Sequence, residues 1–111
     1  MKTYDKASWH IDGGENASEV ITRFKEIFVF LAEKEMLNTI GEETQEFGMD
    51  DSVSLNSTMV NDDGKAFLDT YYDIVLNQNP YEITDNLQTA YENYLDKKND
   101  ICMRGNLLLT I

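Results

Sequence analysis

The residues best suited to chemistry crowd the start of the chain, where Tyr4-Asp5-Lys6-Ala7-Ser8-Trp9-His10 is followed by Gly13-Gly14. The one Trp and the one His of the sequence stand side by side there. An imidazole gives or takes a proton near neutral pH, so His10 with Asp5 or Asp12 is the first acid–base pair to weigh. Catalysis also needs a nucleophile or a second ligand at recognisable spacing, and none is present. No catalytic residue is assigned. The plainer expectation makes Trp9 a core plug that ties the N-terminus down, with His10 bonded to a backbone group. The functional alternative has Trp9 and His10 touching a partner.

Carboxylates are the other abundant chemistry. Lys and Arg number 9 against 21 Asp and Glu, for a net charge of −12. Between residues 39 and 63 lie Glu42, Glu43, Glu46, Asp50, Asp51, Asp62 and Asp63 and no base, so −7 of the −12 falls in that segment. A surface of that sign repels phosphate backbones and argues against nucleic-acid binding. Two readings of the segment stand: a solvated face, or a patch that steers and docks a basic protein, such as a nuclease whose own site accepts phosphates. Nothing singles out a carboxylate pair for glycoside hydrolysis. No Ser-His-Asp set, phosphate loop or dinucleotide fingerprint is present.

Metal chemistry fares no better. Asn61-Asp62-Asp63-Gly64 looks like part of a calcium loop, but alignment on Gly64 puts Met59 and Thr70 at the first and last ligand positions, where neither can serve. His10 and Cys102 are the only soft ligands for zinc, too few for a structural site. Neither metal nor cofactor is expected. Cys102 stands alone, which excludes an intramolecular disulfide. Residues 1–10 lack the apolar core of a secretion signal, and the longest apolar run, 27–32, is far short of a membrane span. The expectation is a cytoplasmic protein. On that ground the glycosylation patterns Asn16-Ala17-Ser18 and Asn56-Ser57-Thr58 are read as chance.

These side chains need a scaffold, and 111 residues suffice for a single domain around one core. Apolar residues at 41% and a single proline suit a folded globule. The chain shows no internal repeat, low-complexity tract or linker. The predicted fold is mainly α, a single domain of about four helices.

The first helix runs from about Ala17 to about Met36, opened by an Asn16–Glu19 capping box. Val20, Phe24, Ile27, Phe28, Leu31 and Ala32 make its stripe. Val29 and Phe30 fall outside it, which predicts burial on more than one side. The second helix begins at Thr39, where Thr39 and Glu42 form a capping box, and stops at Gly48. The third follows the caps Asn61, Asp62 and Asp63, turns Phe67, Leu68, Tyr71, Tyr72, Val75 and Leu76 inward, and ends across 77–80. The fourth starts near Thr84 or Asp85, with Gln88 completing a box, and presents Leu87, Ala90, Tyr91, Tyr94 and Leu95. Its last turn holds Lys97 and Lys98, whose charge suits the negative end of the helix dipole. A small β element is predicted near 53–55. The apolar tail 107–111 is either its pairing strand or a docked extended end. Tyr71, Tyr72, Tyr91 and Tyr94 are mainly core by spacing, with one or two rings left to face a partner.

The Tyr-Asp-x-Ala-Ser-Trp-His string at 4–10 resembles the opening of a small, uncharacterised bacterial protein family. Two further patches are similar. One is Ile27-Phe28-Val29-Phe30-Leu31 leading to Met36-Leu37, with Glu35 where the family pattern has glycine. The other is Gly64-Lys65-Ala66-Phe67 leading into Tyr71-Tyr72-Asp73. Together they span about the first two thirds of the chain. Members look like components of bacterial polymorphic-toxin and immunity neighbourhoods, and the resemblance assigns no catalytic position. Size, resemblance and the acidic segment together lead to the expectation of an acidic immunity-type inhibitor of a basic toxin. Trp9, His10, Glu42, Glu43, Glu46, Asp50, Asp51, Asp62 and Asp63 are its candidate partner-binding residues. The alternatives are a small acid–base enzyme using His10 with Asp5 or Asp12, and a structural subunit. Neither nucleic acid nor membrane is expected as a partner, and the oligomeric state is left open.

Overall fold

The computed structural model describes the backbone of residues 1–110 and the side chains of residues 1–98. In chain order the elements are β1 (Thr3–Lys6), α1 (Ala7–Asp12), α2 (Ala17–Glu33), α3 (Thr39–Phe47), β2 (Ser54–Asn56), a 3-10 turn (Ser57–Met59), α4 (Asp62–Leu76), a second 3-10 turn (Pro80–Glu82) and α5 (Ile83–Thr110). The fold is mainly α, with four longer helices and one small two-stranded antiparallel sheet.

α2 opens as its sequence requires, with the Asn16 side chain accepting from the Glu19 N–H. Val20, Phe24, Ile27, Phe28 and Leu31 are fully buried and Phe30 nearly so, and α2 meets α1, α3 and α5. Together α2 and α4 carry most of the large buried side chains, each contributing about 1.5–3 kcal/mol. Val29 departs from the prediction and is 45% exposed. The helix also stops before Met36. Lys34 caps it and Glu35 takes φ +57°, the left-handed conformation that commonly ends helices and that glycine adopts without strain.

Beyond Glu35 the chain closes a clasp. Leu37 and Val60 form an antiparallel bridge. It is flanked by the Asn38 N–H donating to the Met59 carbonyl and the Asn61 N–H to the Met36 carbonyl, each at 3.0 Å. Each asparagine caps the helix that follows it, Asn38 accepting from Gly41 N–H at 3.0 Å and Asn61 from Gly64 N–H at 2.9 Å. Each also donates across the bridge, Asn38 to the Thr58 carbonyl and Asn61 to the Glu35 carbonyl. Both glycines are required by close approach: a Cβ on Gly41 would overlap the Met59 carbonyl, and one on Gly64 would lie 2.7 Å from the Met36 carbonyl.

The two halves share one pattern, Met36-Leu37-Asn38-x-x-Gly41 and Met59-Val60-Asn61-x-x-Gly64. The expectation of no internal repeat is therefore corrected: a short motif occurs twice and starts α3 and α4 from adjacent backbone. It escapes notice because only Met, Asn and Gly are identical between the copies. The same contacts move the cap of α3 from Thr39 to Asn38.

β1 pairs antiparallel with β2, Asp5 opposite Leu55 and Lys6 opposite Ser54. The β element predicted at 53–55 thus forms one residue later, and its partner is the N-terminus. The predicted tail strand is corrected, because the backbone of 107–110 continues α5; Ile111 lies outside the described residues. From Thr84 to Arg104 no Pro or Gly interrupts the helix, and Lys97 and Lys98, strong helix formers, propagate it rather than end it. Among the described residues no helix is long and apolar enough to cross a membrane.

Candidate functional site

Asp5 is 2% exposed, and among the described residues it is the one charged side chain inside the core. A carboxylate there needs partners, and β1 places it among three. Tyr72 Oη of α4 donates to Oδ2 at 2.9 Å and the Lys6 N–H to Oδ1 at 2.9 Å, while His10 Nε2 lies 2.8 Å from Oδ1. On its other side His10 Nδ1 lies 2.8 Å from Glu15 Oε2, and Arg23 of α2 donates to Glu15 Oε1 at 2.7 Å. The turn after α1 makes this possible. Gly14 at φ +101° reverses the chain, and the Glu15 N–H donates to the His10 carbonyl at 3.1 Å. Burial pushes the Tyr72 hydroxyl pKa well up, with the Asp5 charge adding to it. The Arg23 guanidinium holds the Glu15 carboxyl below the usual range, and His10 adds to that.

Two expectations for this segment are corrected. Trp9 is no core plug: it is 54% exposed, with Lys6 Nζ 5.7 Å from its ring centre. The phase of α1 explains this, because Ala7 is fully buried and His10 and Ile11, one turn on, are half-buried, which turns Trp9 outward. His10 bonds two carboxylates rather than backbone. Of the two acid–base pairs weighed from the sequence, the structure joins His10 to Asp5, and Asp12 is exposed. A cavity of about 120 Å³ lies beside His10, Arg23, Val75 and Ile83, below the usual range for organic ligands. With both ring nitrogens engaged, the network ties β1 and α1 to α2 and α4.

The acidic residues are arranged differently. Glu42, Glu43 and Glu46 are exposed on α3, whose inward residue is Gly41. Ile40 and Phe47 share the outer side, 51% and 79% exposed. Helical spacing puts Ile40, Glu43 and Phe47 in one stripe. Asp50 and Asp51 follow in the loop, and the Ser52 hydroxyl and N–H donate to Asp50 and hold its carboxyl below the usual range. Among the described residues none of Glu42, Glu43, Glu46, Asp50 and Asp51 forms an ion pair.

Asp62 and Asp63 stand on another element, the first turn of α4. Asp63 accepts from Tyr94 Oη at 2.8 Å and Lys98 Nζ at 3.0 Å on α5. These bonds, Lys98 foremost, keep its carboxyl below the ordinary range. The nine candidates therefore fall into three places: Trp9 and His10 on α1, five acids on α3 and its loop, and two acids opening α4. Sequence reasoning missed Ile40 and Phe47. The available signal was two large apolar residues on an otherwise acidic helix with no inward stripe to join.

Among the described residues no three His, Cys, Asp or Glu side chains gather as a metal set. No family model, curated protein or solved structure matches the chain.

Proposed function

We propose that the protein is an acidic binding protein, an immunity-type inhibitor that docks a basic toxin domain on α3. One observation carries the reading: Ile40 and Phe47 stand exposed among Glu42, Glu43 and Glu46, and none of those acids is held in an ion pair among the described residues. Burial of an aromatic anchor supplies affinity, and a rim of one charge sign steers and selects the partner. The net charge of −12 extends that field over the molecule. A nuclease domain, which must itself accept phosphate, has the matching sign.

The test begins with the adjacent genes: a basic toxin domain encoded there supports the reading, and such a domain is then co-expressed with this protein. The parent is compared with a variant carrying Glu42→Gln, Glu43→Gln, Glu46→Gln, Asp50→Asn and Asp51→Asn. The parent protects; the variant keeps the parent's circular dichroism and fails to protect. Undiminished protection removes the acidic face from the mechanism, and a parent that neither binds nor protects removes the inhibitor reading.

The acid–base alternative has one observation in its favour, the 2.8 Å approach of His10 Nε2 to buried Asp5. A substrate would have to displace Glu15 from Nδ1. A proton-transfer activity lost in His10→Gln with the fold retained would put the enzyme in place of the inhibitor.

A further inference from the structure

Three hollows open along the solvent side of α2, and neighbouring ones share residues. The first, about 270 Å³, lies against Pro80 and Tyr81. The second, about 260 Å³, shares Thr22 and Glu26 with the first and reaches Thr84. The third, about 440 Å³, shares Lys25 and Val29 with the second and reaches Phe47 and Met49. The first two make a shallow track along α2 from Tyr81 past Val29 to Glu33, and the third branches from it at Lys25 and Val29 toward Phe47. Tyr81, Val29 and Phe47 are 82%, 45% and 79% exposed.

Charge and backbone chemistry together define what fits. Glu19, Glu26, Glu33 and Glu46 line the track. Of its two bases, Arg23 is already held by Glu15, which leaves Lys25 against four acids. The track is acidic and suits a basic chain. Its walls are helical almost throughout, and helical N–H and C=O groups are satisfied within their own turns. An extended peptide laid there would bury peptide groups with nothing to bond, whereas a helix brings its own hydrogen bonds. From Glu19 to Glu33 the track follows about 21 Å of α2, the length of about four helical turns.

We infer that this track receives an amphipathic α-helix of the partner, apolar along one face and rich in Lys and Arg at its flanks. The inference rests on the acidic-binding reading above and names the element of the partner that docks. The probe is a four-turn Leu/Lys peptide with its leucines on one face, set against a second peptide with two central residues replaced by proline. Anisotropy of the labelled peptides reads affinity and circular dichroism reads helix formation.

The helical peptide binds and gains helix, and the proline peptide binds at least ten-fold more weakly. Val29→Glu and Phe47→Ser each weaken binding ten-fold or more. Ile74→Ser, at an exposed apolar residue off the track, leaves it unchanged. Equal affinity for the two peptides, no binding of either, or indifference to Val29→Glu and Phe47→Ser overturns the inference. Binding that survives Val29→Glu and Tyr81→Ser but is lost when Glu42, Glu43 and Glu46 become Gln also overturns the track, and leaves the acidic-face reading standing. If the Leu/Lys helix seats at Val29 while the toxin domain fails to bind, the toxin reading falls and the track stands.

Discussion

The N-terminal pocket and the outer face of α3 hold the same functional group in opposite circumstances. Asp5 is buried, and its two oxygens meet Tyr72, His10 and the Lys6 N–H. Glu42, Glu43 and Glu46 are exposed and meet no base among the described residues. Burying a charge carries a desolvation penalty that only good partners offset, so the pocket must be complete to exist at all. An exposed carboxylate carries no such penalty and needs no partner from its own chain. Counting acids in the sequence merges these two kinds. Pairing separates those that build the fold from those left available to something outside it.

The largest test of that contrast is Asp5→Ala. It leaves the Tyr72 hydroxyl and His10 facing an unfilled, buried space, and the expected loss is about 3–5 kcal/mol. For a domain of this size the melting temperature falls by more than about 12 °C. Urea unfolding with circular dichroism reads it directly, and a loss below about 1 kcal/mol would mean that the fold needs the buried carboxylate no more than the exposed ones.

Alkali probes the same pocket without mutation. The Tyr72 and Tyr4 hydroxyls are pushed above the ordinary value of 10.0, first by burial and then by the carboxylates of Asp5 and Asp69; Tyr94 is raised by burial and Asp63. A folded-state value above the unfolded one adds stability that is complete below about pH 10 and is lost as pH climbs toward the folded value. Stability therefore holds up to about pH 10 and falls above it. In a titration followed by near-ultraviolet absorbance and circular dichroism, these three tyrosinates appear together with unfolding. Ionisation of Tyr72 before any loss of helix would show the pocket to be loose.

Legibility in the sequence divides along the same line. α2 and α4 could be read because their caps and stripes are local: Asn16 and Asn61 cap where their types suggest. β1 could not, because a four-residue strand has almost no period and its partner β2 lies some fifty residues on. Trp9 misled by type, since the phase of α1 is set by burial of Ala7, whose N–H donates to the Val53 carbonyl at 3.0 Å. His10 stood out by type, but Asp5 and Glu15 each lie five residues away, a spacing that neither helix nor strand predicts. The acids of α3 were legible as charge. That they are unpaired was not, because it depends on which bases the fold brings near α3, and those are far away in sequence.

A smaller effect sits where the two regions join. Glu35, at φ +57°, links α2 to the strand-like clasp that opens α3. Glu35→Gly relieves about 1–2 kcal/mol of left-handed strain and adds about 0.5–1 kcal/mol of unfolded-chain entropy. The net expectation is a gain of about 0.5–1 kcal/mol in urea unfolding. The hydrogen bond from Asn61 to the Glu35 carbonyl is unaffected, because it is made to backbone. A loss of stability would mean that the Glu35 side chain contributes more than its conformation costs.

The smallest effect is the sharpest test of the bare face: Glu42→Gln, Glu43→Gln and Glu46→Gln together. Glu42 and Glu46 stand four residues apart on α3, and like charges at that spacing oppose the helix by about 0.2–0.5 kcal/mol. Against this, Glu42 lies in the first turn, where a negative charge favours the helix dipole by about 0.3–1 kcal/mol. The two terms nearly cancel, so the triple variant changes stability by less than about 0.5 kcal/mol in either direction. Whatever change appears shrinks further in 1 M salt, where screening reaches within about 3 Å. Asp5→Ala, by contrast, keeps its full cost in salt, since its partners are inside the protein. A triple variant that unfolds as readily as Asp5→Ala would show that these glutamates hold the fold. A neutral one leaves three charges that the folded molecule itself does not need.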